Sequence, residues 1–138
     1  MNYFDTFIQV APDCPVNEAV APASQREIKS VPRIEYELLS ARPYRYTQEE
    51  LLFAVHVQRS GISESELAAS HAALWKDFFS KSRACLRASM LPKKYGWGLH
   101  FDSQGRIALV AIGSAEYQKL VSGKGGATVL TALRNKRA

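Results

Sequence analysis

Polar and apolar positions change period several times along this chain, and each change predicts an element. Over residues 2–10, aromatic and branched side chains alternate with polar ones, the period of a strand. Residues 11–32 lose that rhythm, and Pro12, Pro15, Pro22 and Pro32 mark them as a long surface connection. Residues 33–41 alternate again, with Ile34, Tyr36 and Leu38 set against Arg33, Glu35 and Glu37, which predicts a half-exposed second strand. Thr47 and Glu50 form the pair of a capping box, so a helix is expected to start there and to stop at Gly61. Ser63 and Glu66 repeat the signal. Leu67, His71, Leu74, Trp75 and Phe78 then follow at the spacing of one helix face, which makes His71 a packing residue.

Residues 83–89 place Ala84, Leu86 and Ala88 opposite Arg83, Cys85, Arg87 and Ser89, which predicts a strand ended by Pro92. A β-hairpin is expected over residues 95–112, turning at Asp102-Ser103-Gln104-Gly105 with Gly105 as a bulge. That register pairs Phe101 with Ile107 and Leu99 with Leu109. Tyr95, Trp97, Leu99, Phe101, Ile107, Leu109 and Ala111 then share one apolar face, which must point at the core. Ser114 should cap a short helix running to about Val121, the glycines of residues 123–126 break the chain, and residues 128–137 read as a short basic helix. The elements together describe an α+β fold: one domain over residues 1–138, a small antiparallel sheet covered by two or three helices, and a basic tail over residues 123–138.

The length of 138 residues suits one domain with a real core, and 46% hydrophobic with 22% charged residues is an ordinary globular balance. The first residues have neither a basic start nor a long apolar stretch, so no secretory signal is expected. The longest apolar runs, residues 51–55 and 107–112, fall far short of the ~20 residues of a membrane helix. A cytoplasmic protein that does not enter membranes is the expectation, with Cys14 and Cys85 as reduced thiols.

Charge alters the picture more. Residues 1–77 hold 7 Lys/Arg and 11 Asp/Glu, whereas residues 78–138 hold 11 Lys/Arg and only 2 acids, Asp102 and Glu116. Such a half attracts anions: a phosphorylated or carboxylated small molecule, an acidic protein or nucleic acid. A solvated basic surface without a partner fits the same numbers.

The polar face of the hairpin is where chemistry is expected. Gly96 and Gly98 leave bare backbone beside His100, and a neighbouring 83–89 strand would add Cys85 and Arg87, with Lys94 just before the hairpin. Arg87, Lys94, Gly96, Gly98, His100 and Cys85 are thus the candidate ligand-binding residues, arginine being suited to grip carboxylate or phosphate. The competing expectation is that a helix, or the proline-rich segment of residues 11–32, packs on the glycines and covers His100. His100 has a pKa near neutrality and Cys85 lies between two arginines, so an acid–base or thiolate role is available, beside the structural roles lone histidines and strand cysteines ordinarily have. In Asp13-Cys14-Pro15 a thiol and carboxylate follow a strand, although Asp before Pro is also a plain turn.

No GxxxxGK[ST], strand-borne GxGxxG, HExxH or GxSxG is present, and the three histidines and two cysteines have no metal-site spacing, so neither cofactor nor metal is expected.

The stretches FDTFIQVAPDCP, PYRYTQEELLFAVH, FFSKSRACLRASMLPKKYGWGLH and GRIAL, followed by EYQKL, resemble an uncharacterised family of small bacterial and fungal proteins, from Tyr3 to about Leu120. Ser82 stands where the resemblance leads one to expect glycine, and Met90 where it leads one to expect proline. It implies a free-standing single domain and attaches no activity, cofactor or catalytic residue. The function reading that needs fewest assumptions is a small soluble binding domain whose basic face takes an anionic ligand or acidic partner. The second is a small enzyme using Cys85 or Cys14 with His100. The third, a nucleic-acid binder, lacks any aromatic strand signature or helix-turn-helix pattern.

Overall fold

The computed structural model describes residues 2–23 and 29–135. Its elements in chain order are β1 (Thr6–Gln9), α1 (Val31–Ala41), α2 (Gln48–Arg59), α3 (Glu64–Phe78), a tight helical turn at Leu86–Ala88, α4 (Met90–Lys94), β2 (Trp97–Phe101), β3 (Ile107–Ala111), α5 (Ala115–Val121) and β4 (Thr128–Thr131). The strand order is β3-β2-β1-β4, so the class is α+β. The sheet is mixed rather than wholly antiparallel, because β4 runs parallel to β1.

The hairpin forms in the expected register, with Phe101 opposite Ile107 and Leu99 opposite Leu109. Its turn is set by Asp102, whose Oδ1 accepts from the amides of Gln104 and Arg106, both at 2.9 Å. Gly105 adopts φ +79, a conformation L side chains rarely take, and so can close the bulge. Alternation then sorts the sheet's two faces. Ile8, Leu99, Phe101 and Ile107 face one way and form the larger core with Leu39, Leu51, Leu86 and Leu91; Trp97 packs half-buried against it. Phe7 and Val110 face the other way, under Tyr117 and Leu120 of α5.

The α2 start is a complete capping box, with Glu50 N–H donating to Thr47 Oγ1 at 3.3 Å and Thr47 N–H to Glu50 Oε1 at 3.0 Å. Ser63 caps α3 and Ser114 caps α5. In α3 only Phe78 is buried, and Ser70 breaks the helical backbone at φ −132. His71 is exposed, lying edge-on to Phe53 at 5.4 Å rather than inside the core.

Four expectations are corrected. Residues 33–41 are helical, not a strand: Ser30 and Pro32 start α1, and it buries Ile34, Glu35 and Leu39. Residues 83–89 form no strand; Cys85 leads into the tight helical turn. Pro92 lies inside α4, in the first turn, where its missing N–H leaves no bond unmade. Residues 128–131 are a strand, with Thr128 N–H donating to Asp5 O at 2.8 Å and Ala132 N–H to Gln9 O at 3.0 Å; residues 136 and 137 of that expected helix lie outside the described residues. Among the described residues, no helix is long and apolar enough to cross a membrane.

Candidate functional site

The six residues singled out from the sequence do not share one surface. Gly98 is a packing glycine: a Cβ there would come within 2.5 Å of Phe7 Cζ and 3.1 Å of Tyr117 Cε2. Gly96, at φ +79, lies against the proline-rich segment, where a Cβ would sit 2.9 Å from Glu18 O. That segment is strapped down by Val20 N–H on Tyr95 O and by Trp97 Nε1 on Val20 O, each at 2.9 Å. The bare floor is therefore filled, by aromatic rings and by backbone, as the competing expectation had it for the glycines, but His100 is not covered: it stays half-buried at the edge of a cavity. Lys94 is exposed at the end of α4. Arg87 is turned to β4, its Nε donating to Thr131 O at 2.9 Å.

Alternation along β2 also puts the sheet between Cys85 and His100. Cys85 Sγ accepts from Tyr3 OH at 3.2 Å, and the Tyr3 ring lies edge-on to Phe101 on the larger-core face. His100, one residue before Phe101, faces the α5 side, with Nδ1 2.8 Å from Tyr44 OH. Burial lowers the His100 pKa against the opposing pull of Glu116, Asp102 and Asp5, which favours the neutral imidazole. It borders a cavity of about 440 Å³ with Glu116 and Lys119. Cys14 is half-buried beside the second core and, like Cys85, is a free thiol.

A residue outside the sequence-derived set has the most unusual environment. Glu35 lies on the buried stripe of α1, only 3% exposed. Its Oε1 accepts from Ser89 Oγ at 2.9 Å, and Ser89 Oγ in turn accepts from Leu91 N–H at 3.2 Å as the cap of α4. Removing a carboxylate from water penalises its charged form, and burial pushes Glu35 up from 4.5 to about 7, with the Ser89 bond pulling the other way. At neutral pH the carboxyl is poised between donor and acceptor.

Two cavities meet at this carboxyl, sharing Val31, Glu35 and Leu52. The first, of about 460 Å³, is also lined by His56 and Arg59 of α2, by Phe78 and by Arg83. The Arg83 guanidinium lies over the Phe78 ring at 4.0 Å while its Nε donates to Phe78 O at 2.9 Å, and the His56 ring stands 4.6 Å from Phe78. The second, a narrow apolar chamber of about 190 Å³, is lined by Cys85, Leu86, Ser89 and Met90 among others. Tyr3, which holds the Cys85 sulfur, is pushed up to about 12 by burial and by that thiol, so its hydroxyl keeps its proton across the physiological range.

A wider cavity of about 920 Å³ separates α2 from α3, walled by Phe53, Leu67 and Trp75. None of its ionisable lining groups is buried, so chemistry has less to work with there. Among the described residues, no group of three His, Cys, Asp or Glu side chains is placed to hold a metal ion.

The fold and this site define a small α+β domain with a buried carboxyl between a cationic cavity and a thiol-bearing one. The chain belongs to a family described as being of unknown function (DUF6157), whose model matches residues 1–138. No curated protein and no solved structure matches it.

Proposed function

We propose that the protein is a binding domain for a small anionic molecule, received in the cavity lined by His56, Arg59 and Arg83 with Glu35 as its floor. The observation that carries this reading is the Glu35 carboxyl, buried yet bordering a cavity that also presents two guanidinium groups. Buried ionisable groups with strongly displaced pKa values cluster at functional sites. Guanidinium groups match carboxylate and phosphate oxygens by paired hydrogen bonds. Glu35, protonated in part at neutral pH, can donate a hydrogen bond to a carbonyl or hydroxyl on the same ligand. The basic surplus of residues 78–138 favours approach of an anion in general, and the cytosol, which keeps Cys14 and Cys85 reduced, is the compartment this reading assigns.

The test is a melting titration with inorganic phosphate and with pyruvate, on the wild type, Arg59→Gln and Lys119→Gln. At one hundred times its dissociation constant a ligand stabilises by about 2.7 kcal/mol, a readable shift. A shift in the wild type and in Lys119→Gln that is lost in Arg59→Gln supports the reading. A shift lost in Lys119→Gln alone moves the site to the His100 cavity, and no shift with either anion removes it.

A further inference from the structure

The chamber on the inner side of Glu35 holds groups that binding alone does not use. Cys85 and Glu35 line the same small apolar space. It shares Val31, Glu35 and Leu52 with the cationic cavity, so Glu35 stands between the thiol on one side and Arg59 and Arg83 on the other. The sulfur is held in place: Tyr3 OH donates to it at 3.2 Å, and the next residue is pinned by Leu86 N–H on Gln48 Oε1 at 2.7 Å.

We infer that Cys85 is a nucleophile and Glu35 its proton acceptor, acting on small molecules that carry an electrophilic carbonyl carbon together with a carboxylate or phosphate; the charged part of that substrate class rests on the anion-binding reading above. In the step, the Cys85 proton passes to the Glu35 carboxylate as a sulfur lone pair forms the S–C bond to the carbonyl carbon. The C=O π pair moves onto oxygen, which takes the proton back from Glu35. The product is a hemithioacetal or hemithioketal. The atoms balance without an oxidant, reductant or further reactant, and the reverse step restores both groups. This is the nucleophile-with-base arrangement of covalent catalysis, with Glu35 in the place of the more usual histidine. His100 cannot serve, since the sheet lies between it and Cys85.

The ionisable groups that share these two cavities with Glu35 are His56 and Arg59 from α2, and Arg83 and Cys85 from the segment between α3 and α4. A test must therefore separate Glu35 from its neighbours. The probes are iodoacetate and iodoacetamide, which both alkylate thiolates by forming S–C and expelling iodide, and differ in that only iodoacetate is charged. Peptide mass mapping would follow Cys85 against Cys14 across the neutral pH range. Cys85 should react about tenfold or more faster than Cys14, with iodoacetate preferred over iodoacetamide at Cys85 alone. Glu35→Gln, which keeps shape and the Ser89 bond, should slow Cys85 and flatten its pH profile through about 7 while leaving Cys14 unchanged. Tyr3→Phe should slow Cys85 without flattening that profile. Fast, Glu35-dependent alkylation with no preference for iodoacetate would keep the nucleophile and overturn the anionic substrate class. Equal rates at Cys85 and Cys14, or an unchanged rate and profile in Glu35→Gln, would overturn the inference even if phosphate or pyruvate stabilises the protein.

Discussion

Ser89 and Glu35 are joined across 54 residues of sequence, the serine hydroxyl donating to Glu35 Oε1 at 2.9 Å inside the protein. The bond ties the start of α4 to the inner face of α1, and it holds the carboxyl where both cavities meet.

The first expected outcome is a pH dependence of stability. Folding raises the Glu35 pKa from 4.5 to about 7, so between those values the native protein holds a proton that the unfolded chain releases. The contribution is full below about pH 4.5, declines as pH rises, and is lost once pH passes about 7. Its size is about 3 kcal/mol, the free energy of a shift of that order. Denaturant unfolding across this range should show Glu35→Gln gaining on the wild type by that amount as pH rises. A difference that does not change with pH would mean that Glu35 ionises normally in the folded state.

Ser89→Ala removes both a helix cap and a donor to the carboxyl. A loss of about 1–2 kcal/mol is expected in chemical denaturation, the usual range for a cap. The Glu35 titration, followed by carboxyl NMR, should move further up, because the opposing bond is gone. An unmoved titration would show that Ser89 does not tune the acid.

Gly98→Ala tests the packing of the second core. The new methyl would lie 2.5 Å from Phe7 Cζ, on a ring fixed between strand and α5, so a loss of about 1–3 kcal/mol or more follows from overpacking. Gly113→Ala meets nothing within 4 Å and has only its φ of +83 to strain, which costs about 1–2 kcal/mol. If Gly98→Ala is silent in thermal unfolding, the glycine faces open space after all.

Trp97→Phe keeps an aromatic ring beside Tyr36, which lies 5.5 Å from Trp97, but loses the Nε1 bond to Val20 O. Stability should fall by only about 0.5–1.5 kcal/mol, the worth of one hydrogen bond. Limited proteolysis within residues 11–23 should speed up markedly. Unchanged cleavage would mean that the strap is held by other contacts.

The hairpin and α2 were legible because their signals are local. Asp102 and Gly105 specify the turn, alternation fixes its register, and Thr47 with Glu50 completes a cap within one helical turn. The α1 helix was not, and Glu35 is the reason. An acid inside the stripe of Ile34 and Leu39 breaks the helical period and leaves the strand-like alternation of Ile34, Tyr36 and Leu38 to dominate. Read as a helix from Ser30 and Pro32, the same residues would have exposed an acid on an apolar face, which is the signal that finds the site. The placement of Cys85 was illegible for another reason: the alternation of Ala84, Leu86 and Ala88 is too short to resist the cap at Ser89, and the alanines pair with no strand. The parallel pairing of β4 with β1 joins residues more than a hundred positions apart, which no local pattern encodes.

The central claim is that the two cavities meeting at Glu35 are a binding site, and amide NMR with pyruvate added stepwise tests it most directly. Saturable shifts should gather on Val31, Glu35, Leu52, His56, Arg59 and Arg83, and disappear in Arg59→Gln. Shifts gathered instead around His100, Glu116 and Lys119, or none beyond those of an equal ionic strength of chloride, would contradict it.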